Sequence, residues 1–461
     1  MTPLSVSELA AVVEGQLISG DPHATVTGTA IDSRRVAPGD VFVAFRGEQA
    51  DGHAFVRQAA QAGAAAVLVE RPLAADELPQ DGAPAVIMVH SSLSAVQRLA
   101  ARERSLFTGP VIGVTGSNGK TTTKEMLAAV LSVSAPCLAT AGNYNNELGL
   151  PLTLLSRRPE HQTIVLEMGM RGLGQIAHLC RIARPTSGVI TNIGQSHLER
   201  LGSQENIAKA KAELLEALPA DGCGFLLKTD AWLRRVADRC PGQVYWYGLD
   251  PSADAWAERL TLTAHGVRFT AHVLGQTAEV ELPTYGEHNV NNALGALLVG
   301  AVHGLALTDM AQGLARLAPS SGRLRILPAG NGRTVIDDCY NASPLSTRAS
   351  LRVLTDIARG GPTAAILGDM YELGAYAEAG HRAVGQEAAR LGIDVLVTIG
   401  PMSQWTAEAA QAAGCPRVHP FADRDSAIAR LQELLPAGCT VLVKASRGMQ
   451  LEQVVQVLVS E

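Results

Sequence analysis

What the sequence lacks narrows it first. None of its seven cysteines falls into a C-x-x-C pair, so neither a disulfide framework nor a zinc site is expected. There is no surplus of positive charge: 38 Lys and Arg stand against 44 Asp and Glu, for a net charge of −6, which argues against a nucleic-acid partner. No apolar run reaches the ~20 residues of a membrane span. The longest, Ala293 to Leu307, is interrupted by His303 and reads as a buried helix. Near the N-terminus, Glu8 and Glu14 break the stretch where a secretory signal would need an unbroken apolar core. No fixed-period repeat and no low-complexity segment is visible. The expectation is a cytoplasmic protein without membrane insertion.

What is present points to α/β architecture. A chain of 461 residues suggests about three domains, each large enough for its own core. Apolar runs of strand length alternate with amphipathic helical segments, the pattern of mainly parallel sheets. The strand candidates are "PVIGVTG", "TIVLEMG", "GVITNIG", "GFLLKTD", "TVIDDCYNA", "AAILGDM", "VLVTIG" and "TVLVKAS". Most end in polar or glycine-rich turns, and ligands of open parallel sheets bind at such carboxyl ends. The expected division is a small N-terminal α/β domain over residues 1–89 and a central domain over 90–318. The central domain has a P-loop-type, mainly parallel sheet flanked by helices. A C-terminal Rossmann-like α/β domain follows over 319–461. The stretch "LAPSSGRLRILPAGNGRT" reads as the linker into the last block.

One stretch carries the strongest chemical signal. "VIGVTGSNGKTTTKEML" runs from Val111 to Leu127 and places a glycine-rich turn between a strand and a helix. The usual P-loop spacing requires glycine at 114, where this chain has Val114. The turn nevertheless aims free N–H groups and the helix dipole at one spot, which suits phosphate oxygens. Lys120 would neutralise phosphate charge and the Thr121 hydroxyl would reach Mg²⁺. Glu167 ends the next apolar strand as a natural second Mg²⁺ partner, the alternative being a solvated strand end. His197 ends a third strand with the same placement, although a lone histidine is often structural.

In "QENIAKAKAELLEALP", Ile207, Leu214, Leu215 and Leu218 define one helical face. Lys211 lies on that face and Lys209 does not. A lysine there either snorkels outward or, desolvated beside metal ions, becomes a reactive free amine. The run Gly142-Asn143-Tyr144-Asn145-Asn146 is either a polar substrate surface or an ordinary loop. His288, Asn289 and Asn292 stand just before a buried helix, where some would merely cap it. Asp337 to Asn341 and Gly368 to Met370 sit at strand ends. Lys444-Ala445-Ser446-Arg447-Gly448 follows the last strand and could meet an anion.

Taken together these motifs resemble the Mur ligases, the ATP-dependent amino-acid-adding enzymes of peptidoglycan precursor synthesis. Their altered loop, G-[ST]-x-G-K-[ST]-T, is matched by Gly116 to Thr122, and the resemblance covers essentially the whole chain. "GNYNNELGLPLTLL", "DDCYNASP" and "LGDMYELG" are similar to the member that adds D-alanyl-D-alanine to UDP-N-acetylmuramoyl-tripeptide. The tripeptide-forming sibling shares a segment like "DSRRVAPGDVFVAFRG". It would carry D-Y-A-H-T-P where this chain has Cys339 to Pro344, and a D-N-P-R motif that is absent here.

The resemblance implies a monomeric ligase working through an acyl phosphate. The UDP end would meet Ser33, Arg34 and the Asp51-Gly52-His53 turn. ATP would be held by Thr115, Gly116, Ser117, Asn118, Gly119, Lys120, Thr121 and Thr122. Asn289, Asn292, Arg323 and Asp338 would contact adenine and ribose. Thr121 and Glu167 would hold one Mg²⁺ and His197 a second, with Lys211 carbamylated and serving the metal site. Asn143, Asn145, Asn146, Tyr340, Asn341 and Lys444 would face the substrates. Three other readings stand beside this one. They are another Mur enzyme or a folylpolyglutamate synthetase, a P-loop switch or motor, and a non-catalytic nucleotide-sugar binder. A guanine switch would need an N-K-x-D base reader, which the sequence does not contain.

Overall fold

A computed structural model describes every residue except 48, 49, 75, 79–81, 319, 320 and 461. Its described residues build three α/β units, each around one large sheet. The first sheet has the order Gln16–Ser19, Ala85–Met88, Ala66–Val69, Asp40–Val43, Gly28–Ala30, parallel except for its first pair. The second sheet has nine strands. Seven run parallel, from Cys137–Ala139 at one edge through Thr163–Glu167, Val111–Thr115, Ser187–Ile190, Cys223–Leu227 and Gln243–Tyr247 to Ala255–Leu262. Val267–Val273 and Gln276–Leu282 extend it as an antiparallel ribbon. The third sheet orders Arg325–Pro328, Thr334–Asp337, Thr440–Lys444, Thr363–Gly368, Val395–Ile399 and Val418–Phe421, parallel except at its first pair.

The central strands are buried on both faces, as the near-continuous apolar runs of their sequences require. From Val111–Thr115, Val111 joins the core on one side, while Ile112 and Val114 join the core on the other. The second side is closed by the helices Lys120–Leu131 and Glu287–Val302, through Met126, Leu127, Val130, Leu294, Leu297 and Leu298. The first is closed by Gln204–Glu216, whose Ile207, Leu214 and Leu215 are fully buried. Here a glycine decides the spacing. A Cβ on Gly113 would stand 2.7 Å from Leu214 Cδ1, so its absence lets this helix, and Lys211 on it, settle close to the strand.

The structure departs from the sequence reading in three places. The supposed linker contains a strand, Arg325–Pro328, that pairs with Thr334–Asp337. Asn289 and Asn292 lie inside the helix Glu287–Val302, whose N-cap Gly286 contributes no side chain, so neither caps it. The ribbon strands were not among the strand candidates, because their charged and polar residues interrupt the apolar runs. Val267, Phe269, Ala271 and Val273 in one strand and Ala278, Val280 and Leu282 in the other, each at period two, betray them.

The N-terminal and central units share one core. Between them, on the helix Ser92–Ser105, Glu103 is 1% exposed and lies 2.6 Å from the Arg157 guanidinium.

Candidate active site

A cleft of about 1290 Å³ opens where the carboxyl ends of the central strands face the C-terminal unit. At its centre the loop after Val111–Thr115 turns into the helix Lys120–Leu131 with Gly119 at the N-cap. The first N–H groups of that helix have no intrahelical partner, and its first residues, Lys120 to Thr122, line the cleft. The loop is clamped from the neighbouring strand. Ser117 N–H donates to Asn192 O at 2.9 Å, Asn118 N–H to Asn192 Oδ1 at 3.1 Å, and the Thr191 hydroxyl to Asn118 O at 2.5 Å. Gly116 adopts φ +150°, and a Cβ there would fall 1.8 Å from Thr191 Oγ1, so the clamp closes only over glycine. Lys120 Nζ folds back over the loop and donates to Gly116 O at 2.8 Å. Burial pushes its ammonium below the usual lysine range; Glu167 opposes that shift and Arg323 adds to it.

Three groups converge on this loop from the central unit. Glu167, 2% exposed, receives Asn145 Nδ2 on Oε1 at 2.7 Å. Its Oε2 is buried without a hydrogen-bond partner among the described residues. His197 adopts φ +64°, an uncommon conformation for a non-glycine residue. Its Nδ1 lies 2.5 Å from Glu372 Oε2 of the C-terminal unit. Burial lowers the imidazole's pKa, Glu372 opposes that, and Lys120 and Lys211 reinforce it. Lys211 is 2% exposed, lines the cleft, and shows no hydrogen bond or ion pair among the described residues. Burial, with Lys120 adding, holds its amine well below the usual lysine range, so a neutral amine is favoured. Lys209, by contrast, is only half-buried and pairs with Glu205 at 2.7 Å.

The far wall comes from the C-terminal unit. Arg323 Nη2 donates to Thr121 Oγ1 at 2.9 Å, and its guanidinium stands 4.1 Å from the centre of the Tyr340 ring. The hydroxyl assigned to Mg²⁺ is thus an acceptor here, and Arg323 stands at the phosphate loop. Ser343 Oγ donates to Asn118 Oδ1 at 3.0 Å. Asp338 is neutralised by Lys444, whose Nζ lies 2.6 Å from Oδ2, and also accepts from Ser350 Oγ at 2.6 Å. Lys444, expected to meet a substrate anion, is 4% exposed and committed to this pair and to Asn341 O. His288, exposed on the first turn of the helix Glu287–Val302, lines the cleft as well.

Most of the sequence-derived candidates therefore meet in one cleft. It is lined by Ser117 to Thr122, Asn143, Asn145, Asn146, Glu167, His197, Lys211, Asn289, Asn292, Arg323, Asp338, Tyr340, Asn341 and Lys444. Asn146 is engaged in accepting Leu148 and Gly149 N–H groups, and Asn289 donates to Thr284 Oγ1 and Tyr285 O. Thr115, fully buried, and Gly116 support the loop from beneath without lining the cleft. Ser33 and Arg34 also lie outside it. Ser33 donates to Gln58, and Arg34 pairs with Asp32 at 2.8 Å. His53 is fully buried, with Nδ1 on Asp51 and Nε2 accepting Glu70 N–H. Sequence reasoning gave no role to Thr191, Asn192, Ser343 or Glu372, although they lie in the quoted "GVITNIG", "DDCYNASP" and "LGDMYELG"; Arg447 belongs to the run expected to meet an anion.

A phosphate loop at the end of a parallel sheet, facing a second α/β unit across a deep cleft, defines an enzyme that spends a nucleoside triphosphate. Family models match the chain almost end to end. They are the Mur ligase family, catalytic domain over residues 25–104, the Mur ligase middle domain over 114–300, and the Mur ligase, glutamate ligase domain over 322–447. The chain belongs to the Mur ligase family and is an ATP-dependent ligase. It is 38% identical to the UDP-N-acetylmuramoyl-tripeptide–D-alanyl-D-alanine ligase of Bacillus subtilis, covering 100% of this chain and 99% of that one. It is 36% identical to the Escherichia coli enzyme of the same name, over 99% of each. Among solved structures, MurF from Acinetobacter baumannii superposes with a TM-score of 0.89 at 31% identity, covering 100% of both chains. MurF ligase from Thermotoga maritima in complex with ADP gives 0.80 at 29% identity, covering 94% of this chain and 97% of that one.

Proposed function

We propose that this enzyme joins D-alanyl-D-alanine to UDP-N-acetylmuramoyl-tripeptide, with ATP split to ADP and phosphate, and so forms the pentapeptide precursor of peptidoglycan. The observation that carries this reading is the full-length likeness to two enzymes named for that activity. Residues 90–318 take ATP and residues 319–461 the incoming amine. Residues 1–89 take the UDP end, outside the cleft, at Ser33 and Arg34. The cytoplasm, where ATP and nucleotide-linked precursors meet, is the proposed compartment. No helix among the described residues is long and apolar enough to cross a membrane. Action as a monomer is part of the same proposal.

A carboxylate is a poor electrophile, so its oxygen first attacks the γ-phosphorus of ATP, ADP leaves, and an acyl phosphate forms. The amine then attacks the acyl carbon, the C–O bond to phosphate breaks, phosphate leaves with that electron pair, and the nitrogen sheds a proton. The protein contributes charge neutralisation and positioning. Lys120 and the helix N-terminus receive the phosphates, and Arg323 comes to the same loop from the opposite wall.

Among the described residues no three His, Cys, Asp or Glu side chains cluster as a metal cage. The partnerless Glu167 Oε2 nevertheless fits Mg²⁺, a hard ion that takes one or two carboxylates together with substrate phosphates. Glu167 and Thr121 would hold one ion. His197, whose nitrogen suits a hard ion less well, would hold a second. Bound there, Mg²⁺ would neutralise charge on the transferring phosphoryl group. The buried, partnerless Lys211 amine is suited to adding carbon dioxide, and the resulting carbamate would bring an anionic oxygen to the same place.

Phosphate release tests the reading with ATP, UDP-N-acetylmuramoyl-tripeptide and D-alanyl-D-alanine, each omitted in turn. Release should require all three. Release without an amine acceptor would favour a nucleotide switch, and equal product from a free diamino acid would favour the sibling ligase.

A further inference from the structure

Five charged side chains of the C-terminal unit line the cleft among its described residues: Arg323, Asp338, Glu372, Lys444 and Arg447. Three are committed. Asp338 and Lys444 neutralise one another, and Arg323 is bound to Thr121. One group of each sign remains. Glu372 places Oε2 on His197, and its Oε1 makes no hydrogen bond among the described residues. Arg447 is 63% exposed in its side chain, approaches Glu452 with Nη1 at 3.2 Å and stands 6.0 Å from the centre of the Tyr340 ring.

The two loops that carry them are joined directly. Tyr371 N–H donates to Ser446 Oγ at 2.9 Å, so Glu372 and Arg447 are each one residue beyond a direct hydrogen bond. Both loops are braced from behind. Asp369 accepts Ser403 N–H at 2.7 Å, Met370 N–H donates to His381 Nε2 at 3.0 Å, and Ser446 N–H donates to Asp369 O at 3.1 Å. Glu372 itself adopts φ +62°, a conformation that costs free energy and persists only where the surroundings impose it.

A dipeptide acceptor is a zwitterion whose charged ends lie about 7 Å apart when extended. It must also deliver a cationic amine beside Lys120 and Arg323, where a bare ammonium is repelled. We propose that Glu372 binds the ammonium end of the incoming dipeptide and Arg447 its terminal carboxylate. This makes the two loops the acceptor cradle and places the amine next to His197 at the edge of the phosphate loop. The assignment rests on the ligase reading above and names the residues that select its second substrate. A carboxylate accepts through both oxygens, so Glu372 can hold the ammonium on Oε1 while keeping His197 on Oε2. Arg447 offers the planar fork that carboxylates prefer.

Steady-state ligation by the full chain tests this with two acceptors, D-alanyl-D-alanine and D-alanyl-D-alaninamide, which lacks the carboxylate. The wild type should show a KM for the amide about ten- to a hundredfold higher, the range expected for a lost charged hydrogen bond. Arg447→Met should raise the KM for the free dipeptide to the amide's level and leave the amide unaffected. Arg447→Lys should restore part of the preference. Glu372→Gln should raise the KM for both acceptors alike, about tenfold or more, with the KM for ATP unmoved. The assignment is overturned if Arg447→Met keeps the wild-type preference. It is equally overturned if Glu372→Gln leaves the acceptor KM unchanged or raises the KM for ATP as much. A wild type that ligates neither acceptor would overturn the ligase reading and this assignment with it.

Discussion

At the scale of single residues, the site is a concentration of positive charge whose members are handled differently. Lys120 is kept beside the phosphate loop by its own carbonyls, ready to exchange them for phosphate oxygens. Lys120→Ala should therefore cut kcat by about a hundred- to a thousandfold, the usual loss for one charge-stabilising donor. Its thermal midpoint should stay near the wild-type value, because the side chain supports no packing. Lys211 is different: it is buried, and no described carboxylate compensates it. If its amine is carboxylated, Lys211→Ala should lose activity and regain part of it when short carboxylates are added. Electron density should then extend beyond Nζ in a crystal of the enzyme. Density ending at the amine, with no rescue, would leave Lys211 as a positive charge only.

Elements are joined around buried charges as well as around apolar faces. Glu387, 4% exposed on the helix Ala377–Arg390, accepts from Arg390 on its own helix and from Arg352 on the helix Pro344–Ala358. Hydrogen bonding from Arg390, opposed by burial and aided by Arg352 and Arg348, holds its carboxyl down at about 2, against 4.5 for the free group. A carboxyl depressed on folding stabilises the fold fully above its unfolded pKa and loses that contribution as pH falls through the folded value. Stability of the C-terminal unit should thus decline between pH 4.5 and 2, and Glu387→Gln should flatten that limb in denaturation curves taken across the range. An acid limb unchanged by the substitution would show that other carboxylates dominate.

On the scale of the whole molecule, function depends on how three sheets sit around one cleft. Glu103, almost wholly buried on the helix Ser92–Ser105, pairs with Arg157 and also accepts Thr2 N–H at 2.9 Å, which ties the first residues to the central unit. Removing one partner of such a pair leaves an uncompensated charge, so Arg157→Ala should cost about 3–5 kcal/mol in urea unfolding. On the other side, Arg323 to Thr121, Ser343 to Asn118 and Glu372 to His197 bring the C-terminal unit onto the phosphate loop. These contacts make the cleft a shared site, because neither unit alone presents both walls.

Local geometry made part of this legible from the residues alone. The strand–glycine–helix junction at Val111 to Leu131 follows from backbone conformation and hydrophobic period. The separation of Lys211 from Lys209 follows from the 3.6-residue helical repeat. Glu167 at a strand end follows from the rule that polar residues punctuate buried parallel strands. The antiparallel ribbon was harder to see, because a strand with one wet face carries half the apolar signal.

What the sequence determined by itself was the class of fold, the phosphate loop and the family whose motifs it carries. The tertiary structure decided which candidates face one another. Lys444 was turned from a substrate contact into the partner of Asp338, Arg323 was brought to Thr121 across 202 residues, and Ser33 and Arg34 were left outside the cleft. The physical reason is that backbone propensity and periodicity act over a few residues and are written locally. The pairing of distant charges is fixed only when whole faces are buried together, and no short stretch of sequence records that sum.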